Sequence, residues 1–384
     1  AETFPENRIE MGDPSVGIIA AGMAYSYARE AFPGHSFLKL GMIHPLPVGM
    51  IRKFAEKVDK LYVVEELDPF IEDQIRALGI PVTGKAVFPY THEFDPGVVE
   101  ESITGKKRDL KPLPPVKIPP RPPNLCPGCP HRGLFYALGK TKTFVAGDIG
   151  CYTLSFMKPL EGLHSCICMG ASIGMAHGMS KALGDTGKGK VVGVIGDSTF
   201  IHSGITSLLN TAYNRSDVVI VICDNRTTAM TGMQHHPATG YTLQGARTRE
   251  LDLPALGRAL GIENVRVINP LDLKETRTVM KEELEREGPS LVVAQSPCAL
   301  LLRKKGGEEK ALQVDMDVCT GCKVCLGLGC PAISWRKFDG ELEKKITKKT
   351  KKQEGISVID QDLCNGCTLC SQVCKVGAIK EVIS

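Results

Sequence analysis

Short apolar runs of strand length alternate along the chain with amphipathic stretches of helix length, and polar or proline-rich segments divide that alternation into parts. Val16-Gly-Ile-Ile-Ala20 reads as a buried strand, followed by a helix through Ala24–Ala31, a strand over Ser36–Leu40, a helix near Met50–Lys57 and a strand at Lys60–Glu65. This alternation predicts a small parallel-sheet α/β domain over residues 1–105. Residues 106–123 break the pattern. Lys106-Lys-Arg108 leads into seven prolines between Pro112 and Pro123, which favour a stiff extended linker or a strap across another domain. From 124 to 305 the alternation resumes, with Lys190–Ile195 and Asp217–Cys223 as strands apolar enough for a parallel sheet covered on both faces. Residues 306–384 form a third part, dominated by cysteine.

Composition narrows the classes. A chain of 384 residues, 42% apolar and 5% aromatic, has material for two or three domains with their own cores. A net charge of +4, with no basic face interleaved with aromatics, gives no footprint of nucleic-acid binding. No apolar run reaches membrane-spanning length and no signal peptide opens the sequence, so a cytoplasmic protein outside the membrane is expected. Fifteen cysteines in that compartment predict metal ligation rather than disulfides.

Eight of them lie in two nearly matching runs, Cys319-x2-Cys322-x2-Cys325-x4-Cys330-Pro331 and Cys364-x2-Cys367-x2-Cys370-x3-Cys374. A cubane needs one thiolate per iron, and a tight C-x2-C-x2-C loop offers three sulfurs to one cluster. The spacing resembles that of bacterial two-cluster ferredoxins, in which the fourth cysteine of each run serves the other cluster. The resemblance implies one [4Fe–4S] on Cys319, Cys322, Cys325 and Cys374 and a second on Cys364, Cys367, Cys370 and Cys330, in an α+β module. The alternative is a pair of zinc sites, which more usually employ separated C-x2-C pairs or histidines. The first run is one residue longer than usual before its last cysteine, and Lys375 replaces the usual proline. Between the runs, the segment Lys344–Lys352 is basic. It reads either as a solvated loop or as a docking site for an acidic carrier.

The middle part carries a second chemistry. One strand ends in Gly196-Asp197-Ser198 and the next in Asp224-Asn225-Arg226-Thr227. Neighbouring carboxyl ends of a parallel sheet would present their oxygens side by side, where such sheets bind ligands. A hard cation holding a diphosphate wants a carboxylate from Asp197, an amide oxygen from Asn225 and a backbone carbonyl from Thr227, with phosphate oxygens completing the shell. Gly196 and Ser198 are small enough for phosphates to approach the backbone. The pattern resembles the diphosphate motif of thiamine-diphosphate enzymes, with Ser198 in place of its second glycine.

Cys126-Pro-Gly-Cys129-Pro-His131, Gly147-Asp-Ile-Gly-Cys151-Tyr and Cys168-Met-Gly-Ala-Ser-Ile-Gly174 precede that motif in order, and Met230-Thr-Gly-Met-Gln234 follows it. This succession, ending in the ferredoxin module, is similar to the 2-oxoacid:ferredoxin oxidoreductase family over essentially the whole chain. The resemblance implies a transketolase C-terminal-like first domain and a doubly wound thiamine-diphosphate-binding domain over 124–305, ahead of a 2[4Fe–4S] domain over 306–384. It implies that Gly150, Met169 and Gly170 meet the cofactor with Gly196, Asp197, Ser198, Asn225 and Thr227. Mg2+ would lie on Asp197, Asn225 and Thr227, and a proximal [4Fe–4S] on Cys126, Cys129, Cys151 and Cys298. A zinc ribbon with a free buried thiol at Cys298 is the alternative.

The activity so implied is oxidative decarboxylation of a 2-oxoacid with coenzyme A, releasing CO2 and passing electrons through the clusters to ferredoxin. The best-matching members act on aryl pyruvates, chiefly indolepyruvate, with phenylpyruvate and 4-hydroxyphenylpyruvate accepted. Pyruvate or 2-oxoglutarate as substrate, or a non-catalytic electron-transfer subunit, are the alternatives. His131, His235 and His236 are candidates for acid–base or substrate-carboxylate roles, or for structural ones. Cys166, Cys168 and Cys223 are expected as small buried side chains. The family's activating glutamate comes from an amino-terminal pyrimidine-binding domain that is not recognisable in this sequence and is expected elsewhere. Glu65 and Glu66 are not assigned that role. A smaller beta (gamma-type) subunit and an assembly of two alpha and two beta chains are also implied.

Overall fold

A computed structural model describes residues 1–109, 118–304, 310–339 and 353–382. The chain divides into two compact units, Ala1–Pro119 and Pro120–Ser384. The division falls within the proline-rich segment, of which 110–117 lie outside the described residues, as does the basic stretch 344–352. The second and third parts of the sequence thus fold into a single unit.

The first unit is built on a sheet ordered β1-β3-β2-β4, comprising β1 (Arg8–Glu10), β2 (Asp13–Ala21), β3 (His35–Leu40) and β4 (Leu61–Val64). The last three are parallel, as the alternating pattern predicts. The sheet is nevertheless mixed, because β1 pairs antiparallel with β3. Its three residues, two of them charged, are too short and too polar to read as a strand.

Strand residues alternate between two cores. Ile19, Leu38 and Val63 pack beneath α2 (Val48–Ala55) and α3 (Phe70–Ala77), whereas Ile18, Ala20, Phe37 and Val64 meet α1 (Gly22–Ala31) and α4 (Pro96–Thr104). The last helix starts at Asp95, whose side chain accepts from Val98 N at 2.8 Å, and ends on Gly105 at φ 72°.

The second unit is organised around six parallel strands in the order β6-β5-β7-β8-β10-β9. In chain order they are β5 (Phe144–Gly147), β6 (Ser165–Cys166), β7 (Val191–Gly196), β8 (Val219–Asp224), β9 (Asn264–Ile268) and β10 (Ser290–Gln295). The helices are α5 (His131–Leu138), α6 (Ala171–Leu183), α7 (Asp197–Thr199), α8 (Ile205–Tyr213), α9 (Leu253–Ala259), α10 (Leu273–Glu285) and α11 (Ala299–Lys304).

Alternation sorts the strand side chains again. Ile195, Ile220, Ile222 and Val293 join the core beneath α6 and α8. Val192, Val194, Val221 and Val292 face α5 and α10. Each such side chain, fully buried, contributes about 1.5–3 kcal/mol. Strand order reverses between β5 and β7, so a crevice is expected at their carboxyl ends.

The cysteine-rich part packs on the α5/α10 face. Two antiparallel ribbons, β11 (Leu312–Val314) with β14 (Ile379–Glu381) and β12 (Ile333–Lys337) with β13 (Gly355–Ile359), frame a 3-10 turn at Val324–Leu328 and helix α12 (Leu369–Val373). Lys323 and Thr368, which cap those two turns, both have left-handed φ, 61° and 62°, so the cysteine loops repeat in conformation as they do in sequence. Leu328, Ile359, Leu369 and Val373 extend the core that holds Leu134 and Val192. Gln372 accepts from Leu273 N at 2.9 Å and donates to Leu271 O at 2.8 Å. No helix among the described residues is long and apolar enough to cross a membrane.

A candidate cofactor cleft and two cysteine sites

The ends of β7 and β8 build the centre of the site. Asp197 follows β7, with Oδ1 accepting from Ser198 N at 2.8 Å and Oδ2 from Arg226 N at 3.0 Å. Arg226 has φ 63°, and this left-handed turn after β8 folds Thr227 back so that its N–H donates to Asn225 Oδ1 at 3.2 Å. Asp197, Asn225 and Thr227 are all buried and line one cleft, of about 100 Å3, with Ser198, Gly196, Gly150 and Met169. Gly170 is not on its wall. Its N–H donates instead to Asp148 Oδ2 at 2.9 Å, and its φ of 91° with a would-be Cβ 2.5 Å from Ser203 Cβ requires glycine.

Two residues that sequence reasoning left unassigned hold this floor in place. Tyr152 donates to Asp148 Oδ1 in a short hydrogen bond and accepts from Gly196 N at 2.9 Å. Asp148 ends β5 much as Asp197 ends β7, a strand-end acid that could have signalled it. Asp224, at the end of β8, is the third strand-end acid. Burial above all, and then the charge of Asp197, raise its carboxyl to about 6, while Gln295 Nε2 donates to it at 2.8 Å. Crowded carboxylates beside an amide oxygen and small-residue walls fit a divalent cation carrying a diphosphate.

The candidate histidines separate. His131 is buried on the cleft wall with Nε2 3.3 Å from Asn225 Nδ2, and burial lowers its pKa to about 4, so it is neutral. His236 is buried, its Nε2 3.2 Å from Asp197 Oδ2 but not aligned for a hydrogen bond. His235 is exposed and pairs with Thr239. Cys166 and Cys168 also depart from expectation, because both are exposed whereas Cys223 is buried. Cys166 sits on a two-residue edge strand, and Cys168 in the loop where Ile167 and Met169 also face outward. Glu65 and Glu66 are structural: Glu65 accepts from Ile71 N and Glu72 N at 2.8 and 2.9 Å, and Glu66 from Phe94 N at 2.7 Å.

Cys151 lines the same cleft as Asp197. Its thiol is raised by burial and then by the nearby Cys298 and Cys126, and Cys129 is pushed up to about 12, chiefly by burial, with Cys151 and Cys126 adding to it. These four cysteines therefore form one neighbourhood. Cys298 N donates to Asn225 O at 2.9 Å, tying it to the cation-side turn.

A second, small cavity is walled by Cys330, Cys364, Cys367 and Cys370 together with Leu312, Leu328, Ile333 and Ile359. Burial pushes Cys370 to about 12 and Cys367 to about 11, and each also feels its neighbouring thiols, Cys330 included. Cys319 and Cys322 act likewise on Cys325. Cys374 packs against the shared core and accepts from Ala378 N at 3.3 Å.

Among the described residues no three His, Cys, Asp or Glu side chains are grouped so as to hold a single metal ion. Cubane ligands surround four irons rather than one point, so these crowded thiols, several of them buried, suit a cluster better than zinc.

Fold and sites together define a thiamine-type cofactor domain joined to a 4Fe–4S module. The family "thiamine pyrophosphate enzyme, C-terminal TPP binding domain" matches residues 148–294, and the 4Fe-4S binding domain matches 357–380. Among curated relatives, the chain is similar to indolepyruvate oxidoreductase subunit IorA of Pyrococcus horikoshii, at 40% identity over 99% of this chain and 62% of that one. The IorA subunit of Archaeoglobus fulgidus is likewise 40% identical, over 87% of this chain and 57% of that one. The chain thus spans about three fifths of the length of these relatives. The solved 2-oxoglutarate:ferredoxin oxidoreductase of Magnetococcus marinus aligns over 46% of this chain and 65% of its own, at TM-score 0.40 and 20% identity. The expected resemblance to the 2-oxoacid:ferredoxin oxidoreductase family, in its indolepyruvate members, is borne out by these relatives.

Proposed function

We propose that this chain is the cofactor-binding and electron-transferring portion of a 2-oxoacid:ferredoxin oxidoreductase acting on aryl pyruvates. Residues 124–305 would hold thiamine diphosphate with Mg2+ on Asp197, Asn225 and Thr227, and residues 306–384 two [4Fe–4S] clusters. The observation that carries the reading is that Cys151 of the proximal cysteine set and the Asp197–Asn225 pair wall the same cleft.

Bound thiamine diphosphate supplies a nucleophilic carbon and an electron sink for decarboxylating a 2-oxoacid. The chain's own residues do the rest. Asp197 and Asn225 would hold the cation, while Asp148 and Tyr152 brace the turn after β7 through Gly196 N. His131, neutral and buried, leaves an uncharged wall beside Asn225. Cys126, Cys129, Cys151 and Cys298 would hold a one-electron acceptor at the cleft, and the cysteines of residues 306–384 would hold the clusters that connect it with soluble ferredoxin.

Coenzyme A would take the acyl group, giving an aryl-acetyl-CoA. Indolepyruvate is the favoured substrate because the relatives that match nearly the whole chain are named for it. The activating glutamate, a smaller beta subunit and the pyrimidine-binding domain would complete the catalyst in an assembly of two alpha and two beta chains.

The test is an anaerobic assay of the complete complex with indolepyruvate, phenylpyruvate, pyruvate and 2-oxoglutarate in parallel, following reduction of a ferredoxin-type dye. Preference for the aryl pyruvates is expected. Preference for pyruvate or 2-oxoglutarate would reject the substrate reading, and failure to bind thiamine diphosphate with Mg2+ would reject the enzyme.

A further inference from the structure

Arg132, the second residue of α5, is 1% exposed and the largest fully buried side chain of the described structure. Its Nη1 donates to Leu328 O at 2.6 Å, and its Nη2 to Leu125 O at 2.6 Å and Cys126 O at 3.2 Å. Nε has no partner, and among the described residues no carboxylate pairs with the guanidinium. A buried cation without an anion is costly. Its location adds to the cost, because the first turn of a helix already carries the positive end of the helix dipole. Two positive sources thus converge in one dry place.

The groups around it are the candidate cluster ligands. Arg132 walls the cavity formed by Cys330, Cys364, Cys367 and Cys370. Through Cys126 O the same guanidinium also touches the loop of the proximal set, so it stands between ligands of two different sets. The sets meet directly as well: a Cβ on Gly128, between Cys126 and Cys129, would fall 1.8 Å from the side chain of Asn365, between Cys364 and Cys367. The planar fork of Arg132 reaches carbonyls at the Cys126 loop and on the turn before Cys330 while leaving its charge between them.

We infer that Arg132 is the shared counter-charge of the two cysteine sites, and that it raises the reduction potential of the cluster on Cys330, Cys364, Cys367 and Cys370 relative to one without it. The inference rests on the proposed reading of those cysteines as cluster ligands. Four thiolates around a cubane carry net negative charge that grows on reduction, so a fixed cation in the same dry pocket favours the reduced state. Arg132 touches neither substrate nor the reacting carbon and is a positioning and tuning residue.

The test compares the anaerobically purified complex with its Arg132→Met and Arg132→Lys variants by iron and sulfide content and by redox titration followed by electron paramagnetic resonance. Arg132→Met is expected to keep its iron and to move one cluster couple to a more negative potential, by at least about tenfold in the one-electron equilibrium, about 59 mV. Arg132→Lys should move it less than half as far. If Arg132→Met loses iron, the Arg132→Lys midpoint decides, a value near wild type supporting the inference. Unchanged midpoints in Arg132→Met, an equal shift in both variants, or loss of iron from both would overturn it. A wild-type complex lacking iron would overturn the cluster reading itself, which none of the variant results does.

Discussion

The phenol oxygen of Tyr152 accepts a hydrogen bond from Gly196 N at 2.9 Å while its hydroxyl donates to Asp148, so one side chain joins the ends of β5 and β7 beneath the cleft. Burial foremost, with the Asp148 charge behind it, keeps this phenol protonated far above its ordinary range. Tyr152→Phe would leave Gly196 N buried without a partner and take from Asp148 Oδ1 its phenol donor, with Gly170 N still held on Oδ2, a cost of about 1–3 kcal/mol. The expected result is a lower melting temperature and weaker binding of thiamine diphosphate, measured by thermal unfolding with and without cofactor. An unchanged cofactor-induced stabilisation would show that the Gly196 turn does not depend on Tyr152.

Asp197 separates charge from shape. Asp197→Asn keeps an oxygen able to accept from Ser198 N or Arg226 N but removes the negative charge offered to the cation. Removing partners one shell further out typically costs metal sites about 10–100-fold in affinity, so a loss of at least about 100-fold is expected here. Titration calorimetry of thiamine diphosphate with Mg2+ reads it directly. Chelation of Mg2+ should abolish cofactor binding to the wild type in the same assay.

In the first unit, Glu65 gives a pH test. Burial raises its carboxyl pKa above the ordinary 4.5, outweighing the two backbone N–H donors and Lys85. A raised pKa means that the folded state holds this proton more tightly than the unfolded chain. Its contribution is therefore fully present below pH 4.5 and is lost as pH rises through the folded value. Glu65→Gln, which does not ionise, should show a shallower fall in melting temperature across that rise. Parallel slopes for the two proteins would assign the pH dependence to other groups.

Much of this was legible in sequence because it depends on local pattern. Apolar runs of strand length announced β2, β3, β7 and β8, and the strand-end residues Asp197 and Asn225 fall in one cleft as parallel pairing requires. The joining of the cysteine module to α5 and α10 was not legible. It depends on Leu273, Leu328, Leu369 and Gln372, which are distant in sequence and individually ordinary. Asp148, Tyr152 and Arg132 were missed for a similar reason, since their partners lie on other strands and loops. Cys166 and Cys168 misled because a cysteine's usual burial is an average, and theirs is decided by an edge strand and an outward loop.

Cluster number tests the cysteine assignments as a set. Three [4Fe–4S] centres predict about twelve iron atoms per chain, and the two ferredoxin-type centres alone about eight. Cys367→Ser removes a ligand from the cavity lined by four cysteines and should lower the count by about four, as should Cys151→Ser at the cofactor cleft. The two losses should differ in consequence. Without the cluster near Cys151, the distal clusters should still accept electrons from a chemical reductant while 2-oxoacid no longer reduces them. Without the cluster at Cys367, the proximal site should still be reduced by 2-oxoacid but transfer to external ferredoxin should fail. Rapid-freeze paramagnetic spectra after mixing with substrate distinguish these cases, and reduction of all clusters by substrate in Cys151→Ser would remove the proximal site from the path.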